Sequence, residues 1–456
     1  MHLSNLPKLT RLLAILLIAA PLFGVTSLRA VEGPIDLDRA IRIALDRNTD
    51  LQRQMNQVSL NQTTVDQARA QLYPDLNLSI SPSERFGRTF DQTIGTIENQ
   101  RSESLSLRAS SNLNLFNGFA DQSTLKSARL GLNASQEDLE RTRQTVAYEA
   151  ASRFFTLFAT EELIQVEEED IASQRQQLER IEAYWEQGTR ARADVLQQEA
   201  ALASAELRLV NAESSRDLAE LRLKEILQIN PLGEMEFTGP SLDNLTTERI
   251  DYRADQLFRE ALERRPDLKS QELQIAAAEE QIREARSGLL PKLNLSLGVG
   301  TSYSSLNQLS TFSDQLLDLN PDASIGLTLS IPIFDRARTK SSVERARVQV
   351  KNEQLALENL EQDVALAVQR ALLDYQTALK RLEVTTAQQA AATEALAAME
   401  ARYDNGASTF VELSQSRAQQ VDAAGSWIEA VYDVELARLA VEFQRSSDIR
   451  QTAVSQ

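Results

Sequence analysis

The sequence predicts a mainly α-helical protein with a small β part, built from two similar halves. Three observations lead to this prediction: a repeated order of segments, two very long helical stretches, and four short stretches of alternating apolar and polar residues. Helices of that length cannot be enclosed in one globular domain, so we expect an extended coiled-coil assembly. Along the chain we predict a signal peptide (1–30), a first structural repeat (31–239), a second structural repeat (240–445) and a C-terminal tail (446–456).

Residues 1–30 have the features of an export signal. Lys8 and Arg11 give a positive start, an apolar run extends from Leu12 to Ala20, and Ala30 offers a small residue for cleavage. The run is far shorter than the roughly 20 apolar residues that a membrane-spanning helix needs. We therefore expect export from the cytoplasm with removal of this segment.

The composition argues against several kinds of chemistry. The formal net charge is −18, and cleavage after residue 30 would make the chain more negative, because that segment holds three positive charges and no acidic residue. Such a surface repels nucleic acid, so we expect no nucleic-acid partner. The chain has no cysteine, and its one histidine, His2, lies in the expected signal. Without these common ligands, bases and nucleophiles, we expect no enzymatic activity, no cofactor and no metal site. An enzyme that uses only carboxylates is the one catalytic alternative that the composition leaves open.

The two halves are related by a nearly constant offset. Residues 72–78 match 289–295 at an offset of 217, and 184–188 match 402–406 at an offset of 218. One inserted residue over such a distance indicates an internal duplication. We expect each half to fold as helix, strand, strand, long helix, turn and helix.

Four strands are predicted from period-two alternation. They are residues 76–81 and 105–115 in the first half, and 293–299 and 325–331 in the second. The connections, 83–101 and 304–322, are polar, and we expect them to be long exposed loops. Because two strands do not form a stable sheet and no helix remains to cover four, strands of several chains are expected to close into a barrel. Its apolar face would meet lipid.

Two stretches are predicted to be single long helices, from about Ala120 to Gln187 and from about Thr339 to Asn405. Each would be about 100 Å long at 1.5 Å per residue. In the second stretch, residues seven apart form an apolar stripe that only Thr385 interrupts: Val343, Val350, Leu357, Val364, Ala371, Ala378, Ala392 and Met399. This spacing is typical of coiled coils. The acidic run Glu167–Asp170 is predicted to be a solvated helix face.

Three pairs of motifs resemble those of the TolC family of outer-membrane factors, and the resemblance extends over nearly all of residues 36–445. The motifs are Tyr73-Pro74-x-Leu-x-Leu with Leu290-Pro291-x-Leu-x-Leu, Leu115-Phe116-Asn117-Gly118 with Ile331-Pro332-Ile333-Phe334-Asp335, and the turns 184–190 with 403–408. The resemblance implies a homotrimer in which each chain gives four strands to a twelve-stranded transmembrane β-barrel. The helices would continue it through the periplasm as a tunnel, a long α-helical coiled-coil barrel. A mixed region around the middle of the tunnel would hold residues 31–50, 230–265 and the C-terminal tail.

The same resemblance implies localisation in the bacterial outer membrane, with outer-membrane lipid around the barrel. It also implies a tripartite efflux or type I secretion system. The partners would be a periplasmic adaptor (membrane fusion protein) and an inner-membrane pump of the RND or ABC type. Substrate would pass without chemistry.

In this family the helix-to-helix turns form a periplasmic tip that is closed at rest and meets the adaptor. Gly188 and Gly406 occupy these turns. Asp194 and Tyr403 take the positions of an aspartate and a tyrosine whose hydrogen bond helps to keep the tip shut. Ser408 stands where the family has an arginine, which implies that one closing bond is missing.

Glu412 and Gln415 take the positions of two aspartates that ring the narrowest opening of the tip. Three copies of Glu412 around one axis would attract cations and repel one another, which would raise at least one pKa. Apart from the resemblance, Glu412 reads as an ordinary solvated helix residue.

Two alternatives remain open at this point. A secreted structural coiled coil would explain the helices and the signal but not the duplicated strand pairs. A periplasmic adaptor also contains a long helical hairpin, although it normally has one hairpin flanked by other domains. The sequence does not identify the exported substrate or the class of pump.

Overall fold

The structure, a computed structural model, describes residues 33–446 apart from 92–94, 241, 243–244, 246–248 and 308. The predicted signal peptide (1–30) and all but the first residue of the predicted tail (446–456) therefore lie outside the described residues.

The two halves of the chain have the same order of elements, except for one short helix between the strands of the second half. The first half contains α1 (Leu37–Arg47), α2 (Thr49–Ala70), β1 (Asn77–Asp91), β2 (Thr96–Phe116), α3 (Ala120–Glu186) and α4 (Arg192–Leu227). The second contains α5 (Ala254–Arg264), α6 (Pro266–Arg286), β3 (Lys292–Ser304), the short α7 (Phe312–Asp314), β4 (Asp322–Ser330), α8 (Arg338–Asp404) and α9 (Phe410–Gln444). The mainly α class and the internal duplication are confirmed.

The helices α3 and α8 are 67 residues each, with ends close to those predicted. Each begins after a residue in the left-handed conformation, Phe119 (φ 67°) or Ala337 (φ 60°), and proline is absent from both. α4 and α9 have 36 and 35 residues, about half that length. They pack along the second halves of α3 and α8, while α2 contacts α3 and α6 contacts both long helices.

The four strands form one antiparallel sheet in the order β1-β2-β3-β4, so β1 and β4 are its edges. Apolar side chains alternate along the strands and are exposed, including Leu78 (72%), Ile80 (61%) and Leu327 (64%). Within the described chain, no helix covers this apolar face, and neither outer edge is paired.

The predicted loop over residues 83–101 is wrong. β1 continues to Asp91 and pairs there with Thr96, so the strands form one long hairpin with a turn that includes Gly95 (φ 70°). Charged residues occur on both faces of the segment, which hides the alternation, whereas strand pairing depends on main-chain hydrogen bonds.

The predicted loop between the strands of the second half begins and ends where expected, at residues 304 and 322. Hydrogen bonds to a buried glutamine hold part of it in place. Gln315, only 1% exposed, accepts a hydrogen bond from Ser304 N–H at 3.0 Å. Its side-chain amide donates to the carbonyls of Ser304 and Asn307, each at 3.2 Å.

The core lies around the middle of the long helices. One cluster joins α1, α3, α4 and α9 around Phe154 and Leu157, both fully buried. A second joins α5, α6, α8 and α9 around Tyr375. The short helix α1 thus packs against α3, and α5 against α8, near the middle of each long helix. This is the place that the resemblance implied for residues 31–50 and 230–265.

The apolar stripe of α8 is confirmed as a packing surface. Val343, Val350, Val364 and Ala371 are buried, and Thr385 is buried beside them. No helix in the described part of the chain combines the length and the apolar character needed to cross a bilayer.

Candidate functional site at the helix turns

The turns between α3 and α4 and between α8 and α9 have the same local structure. Gly188 has φ 73° and Gly406 has φ 72°, a region that strains other residues. In the first turn, Thr189 N–H donates to the Tyr184 carbonyl at 2.9 Å, and in the second, Ala407 N–H donates to the Arg402 carbonyl at 2.8 Å. These bonds close the last turn of each long helix in the manner of a Schellman motif.

Both turns lie at the same end of the molecule. An apolar cluster holds them together with one or two residues from each of α3, α4, α8 and α9: Ile181, Val195, Tyr403, Phe410 and Leu413. The ring centres of Tyr403 and Phe410 are 6.3 Å apart. The two helical hairpins are therefore packed side by side up to their turns.

Tyr403 is 1% exposed, and its hydroxyl has no hydrogen-bond partner among the described residues. The bond to Asp194 that the resemblance implied is thus not formed in this chain. Burial raises the pKa of Tyr403, and the carboxylates of Asp194 and Asp404 add to the effect. Arg190 lies over the ring instead, with its guanidinium carbon 4.3 Å from the ring centre.

Glu412 caps its own helix. Thr409 N–H donates to Glu412 Oε2 at 2.8 Å, and Glu412 N–H donates to Thr409 Oγ1 at 3.3 Å, which makes a capping box at the start of α9. The bonds from Thr409 lower the pKa of Glu412 within the single chain. Asp194 occupies the matching position in the first turn of α4, and Gln415 is exposed one turn further along α9.

An ionic network lies further along the first hairpin. Arg208 on α4 pairs with Glu167 (3.0 Å) and Asp170 (2.6 Å) on α3. The prediction of a solvated face for residues 167–170 is wrong at Asp170, which is 5% exposed. Burial raises the pKa of Asp170, although Arg208, Gln174 and Arg417 act in the opposite direction.

The second hairpin has a buried arginine near the same level. Arg417 on α9 donates to Glu400 on α8 at 2.5 Å, while its Nε and Nη1 have no hydrogen-bond partner among the described residues. Arg417 also acts on the pKa of Asp170, so the two hairpins interact electrostatically here. The described residues contain no cluster of side chains suited to a metal ion.

Comparison with known proteins identifies the family. The model of the family described as "Outer membrane efflux protein" matches residues 40–227 and 257–443. The chain belongs to this family. It is therefore an outer-membrane efflux channel, as members of this family are, and such channels are not enzymes. Membership of this family excludes the two alternatives, a secreted structural coiled coil and a periplasmic adaptor.

Several proteins are similar to this outer membrane efflux protein. The pyoverdine export outer membrane protein OpmQ of Pseudomonas aeruginosa is 26% identical over 420 residues, which cover 89% of this chain and 83% of OpmQ. The outer membrane protein TolC of Escherichia coli is 23% identical over 434 residues, 94% of this chain and 85% of TolC. A crystal structure of CusC has a TM-score of 0.79 at 17% identity and covers 92% of this chain and 96% of that one.

In this outer membrane efflux protein, Gly188, Gly406, Asp194, Tyr403 and Glu412 all lie at the joined ends of the hairpins. Sequence reasoning missed the arginines that contact this end or lie further along the hairpins: Arg190, Arg208 and Arg417. A signal existed for Arg190, which lies two residues after Gly188 as Ser408 lies two residues after Gly406. For the other two, no motif marks the position, because their partners come from other helices.

Proposed function

We propose that the chain is the channel-tunnel of a tripartite efflux or type I secretion system and conducts substrates passively across the periplasm and the outer membrane. Three copies would assemble, and each would give its four strands to a twelve-stranded barrel. The observation that carries the proposal is the four-stranded sheet with an uncovered apolar face and two unpaired edges.

An open sheet of this kind is unstable alone, in water or in lipid. Main-chain groups at unpaired edges need partners, and in a bilayer only closure of the sheet supplies them. The exposed side chains of Leu78, Ile80, Ile325 and Leu327 then face lipid, while the serines between them face the lumen. Pairing of β1 with β4 of the next copy would satisfy both edges.

The long helices would continue the barrel. α3 and α8 are each about 100 Å long, and apolar side chains remain exposed on the hairpins, among them Leu207, Val210, Leu366 and Leu373. Packing of these faces between copies would close a helical tunnel around the same axis as the barrel.

The turn end would be the periplasmic tip, where Gly188, Gly406, Asp194, Tyr403, Glu412 and Gln415 form the gate. It would meet a periplasmic adaptor and an inner-membrane pump of the RND or ABC type. The export function in the name of OpmQ supports this direction of transport.

The test is to express the chain with its own signal, separate the inner membrane, outer membrane and soluble fractions, and determine the detergent-corrected mass. The proposal expects roughly 140–150 kDa, three chains of 50.8 kDa less their signals, in the outer membrane. A monomer that stays soluble without detergent would contradict it.

A further inference from the structure

Arg190 joins the two turns through two contacts with one residue. Its Nη2 donates to the main-chain carbonyl of Tyr403 at 2.7 Å, and its guanidinium carbon lies 4.3 Å from the centre of the Tyr403 ring. Arg190 belongs to the turn between α3 and α4, whereas Tyr403 lies in the last turn of α8. Both contacts therefore cross from the first half of the chain to the second.

Each contact suits a guanidinium. The Tyr403 carbonyl lies at the C-terminal end of α8, where the helix dipole favours a positive charge. The face of the ring attracts a cation, and the flat guanidinium can stack on it. The ring has a fixed position, because it is 1% exposed and packs against Phe410. Arg190 thus binds a preformed surface at the end of α8.

These contacts do not depend on a carboxylate. Arg190 makes no ion pair with any described residue, although Asp194 and Asp404 are close enough to Tyr403 to act on its pKa. The matching position in the second half is Ser408, whose side chain is too short to make an equivalent contact. The arginine contact is therefore made from the first half only.

We propose that Arg190 is the positioning residue that clamps the two turns together at rest, so that separation of the hairpins requires Arg190 to leave Tyr403. This inference rests on the proposed function, in which these turns close a channel. The carbonyl and ring contacts are lost together when the turn of the first hairpin moves away from the end of α8. Arg190 touches no substrate and acts through the position of α8.

The test compares Arg190→Ala and Arg190→Lys with the control Arg192→Ala. Arg192 is exposed and makes no hydrogen bond or ion pair with the described residues, so its replacement changes the charge equally, two residues away. The readouts are the resting conductance of the purified full-length protein in planar bilayers and its melting temperature in detergent.

We expect Arg190→Ala to raise the resting conductance about tenfold, the factor that loss of a stacked, charge-assisted contact gives. Arg190→Lys should give a smaller rise, because it keeps the charge and loses the flat stacking surface. Arg192→Ala should conduct as the wild type does. The melting temperature should fall only slightly in Arg190→Ala and stay that of the wild type in Arg192→Ala, since the apolar cluster around Tyr403 remains.

Equal resting conductance of Arg190→Ala and Arg192→Ala would overturn the clamp and leave the channel function standing. If the wild-type protein itself formed no ion-conducting pore, the proposed function would fail, and the clamp with it. Should Arg190→Ala not assemble, Arg190→Gln keeps a donor without the charge, and wild-type conductance of that variant would equally overturn the clamp.

Discussion

Glu412 combines two roles that one substitution can separate. Its carboxylate caps α9 through Thr409, and in three copies it would also place negative charge around the proposed opening. Glutamine supports a capping box as well, so Glu412→Gln should preserve assembly and melting temperature while it weakens cation selectivity. The measurement is the reversal potential under a salt gradient in a channel held open. Gln415→Glu, which adds a charge one turn away, should strengthen the selectivity. Unchanged selectivity in both variants would show that neither residue faces the pore.

Tyr403 allows its ring and its hydroxyl to be tested apart. The resemblance predicts that Tyr403→Phe loosens the tip, because the hydroxyl would bond to Asp194. The structure predicts no loosening, since the hydroxyl has no partner among the described residues and the ring makes the contact with Arg190. Resting conductance should therefore stay at the wild-type level in Tyr403→Phe and rise in Tyr403→Leu. A rise in the phenylalanine variant would favour a hydroxyl partner on a neighbouring copy.

Arg208 neutralises a buried carboxylate, so its removal should destabilise the assembled protein. We expect Arg208→Ala to cost about 2 kcal/mol per chain at neutral pH, less than for a fully buried pair because Arg208 is partly exposed. The pKa of Asp170 is already raised, and a protonated Asp170 needs no counter-charge. The cost of Arg208→Ala should therefore shrink as pH falls through that raised pKa. The double variant Arg208→Ala/Asp170→Asn should recover most of the lost stability.

The control for this prediction is Arg175→Ala, which breaks the exposed pair with Glu206 on the same hairpin. Its effect on the melting temperature should be close to zero. Equal melting shifts for the two arginine variants, or a cost for Arg208→Ala that does not change with pH, would contradict the account.

At the scale of elements, the two turns depend on glycine for their main-chain conformation. No atom lies within 4 Å of a Cβ added at Gly406, so the strain of Gly406→Ala comes from its φ of 72° alone. We expect a cost of about 1 kcal/mol per chain, seen as a lower melting temperature. Gly131→Ala, inside α3 and equally open, should instead raise it by a comparable amount. Shifts of the same sign in both variants would show that the turn conformation is not the cause.

The sequence predicted those elements whose own residues determine their structure, and missed those that depend on contacts with other elements. α3 and α8 were predicted almost to the residue, because a stretch without proline or a helix-ending glycine leaves few alternatives. The extension of β1 and β2 beyond residue 83 was missed, since charged residues occur on both of its faces. The contacts that hold it, main-chain pairing and the contacts of Arg101 with Glu84 and Phe86, cross between the strands. The contacts of Arg190 and Arg208 were missed for a related reason, because they depend on which helices become neighbours.

At the scale of the whole molecule, duplication is the feature that made the fold predictable. The repeat fixed the order of the elements and placed both turns in equivalent positions, but a single chain contains only part of the proposed channel. The four strands make a complete barrel only if β1 of one copy pairs with β4 of the next. The proposed channel therefore depends on this pairing between copies.

Cysteine cross-linking tests that pairing most directly, because the chain has no cysteine of its own. Ser79 on β1 would be replaced by cysteine together with Ser324, Thr328 or Ser330 on β4, one pair at a time, and the oxidised protein run on a denaturing gel without reductant. Within one chain β2 and β3 separate these strands by roughly 14 Å, beyond the reach of a disulfide. We expect covalent dimers and trimers for at least one pair. Monomers alone for every pair, with all the cysteines reactive, would contradict it.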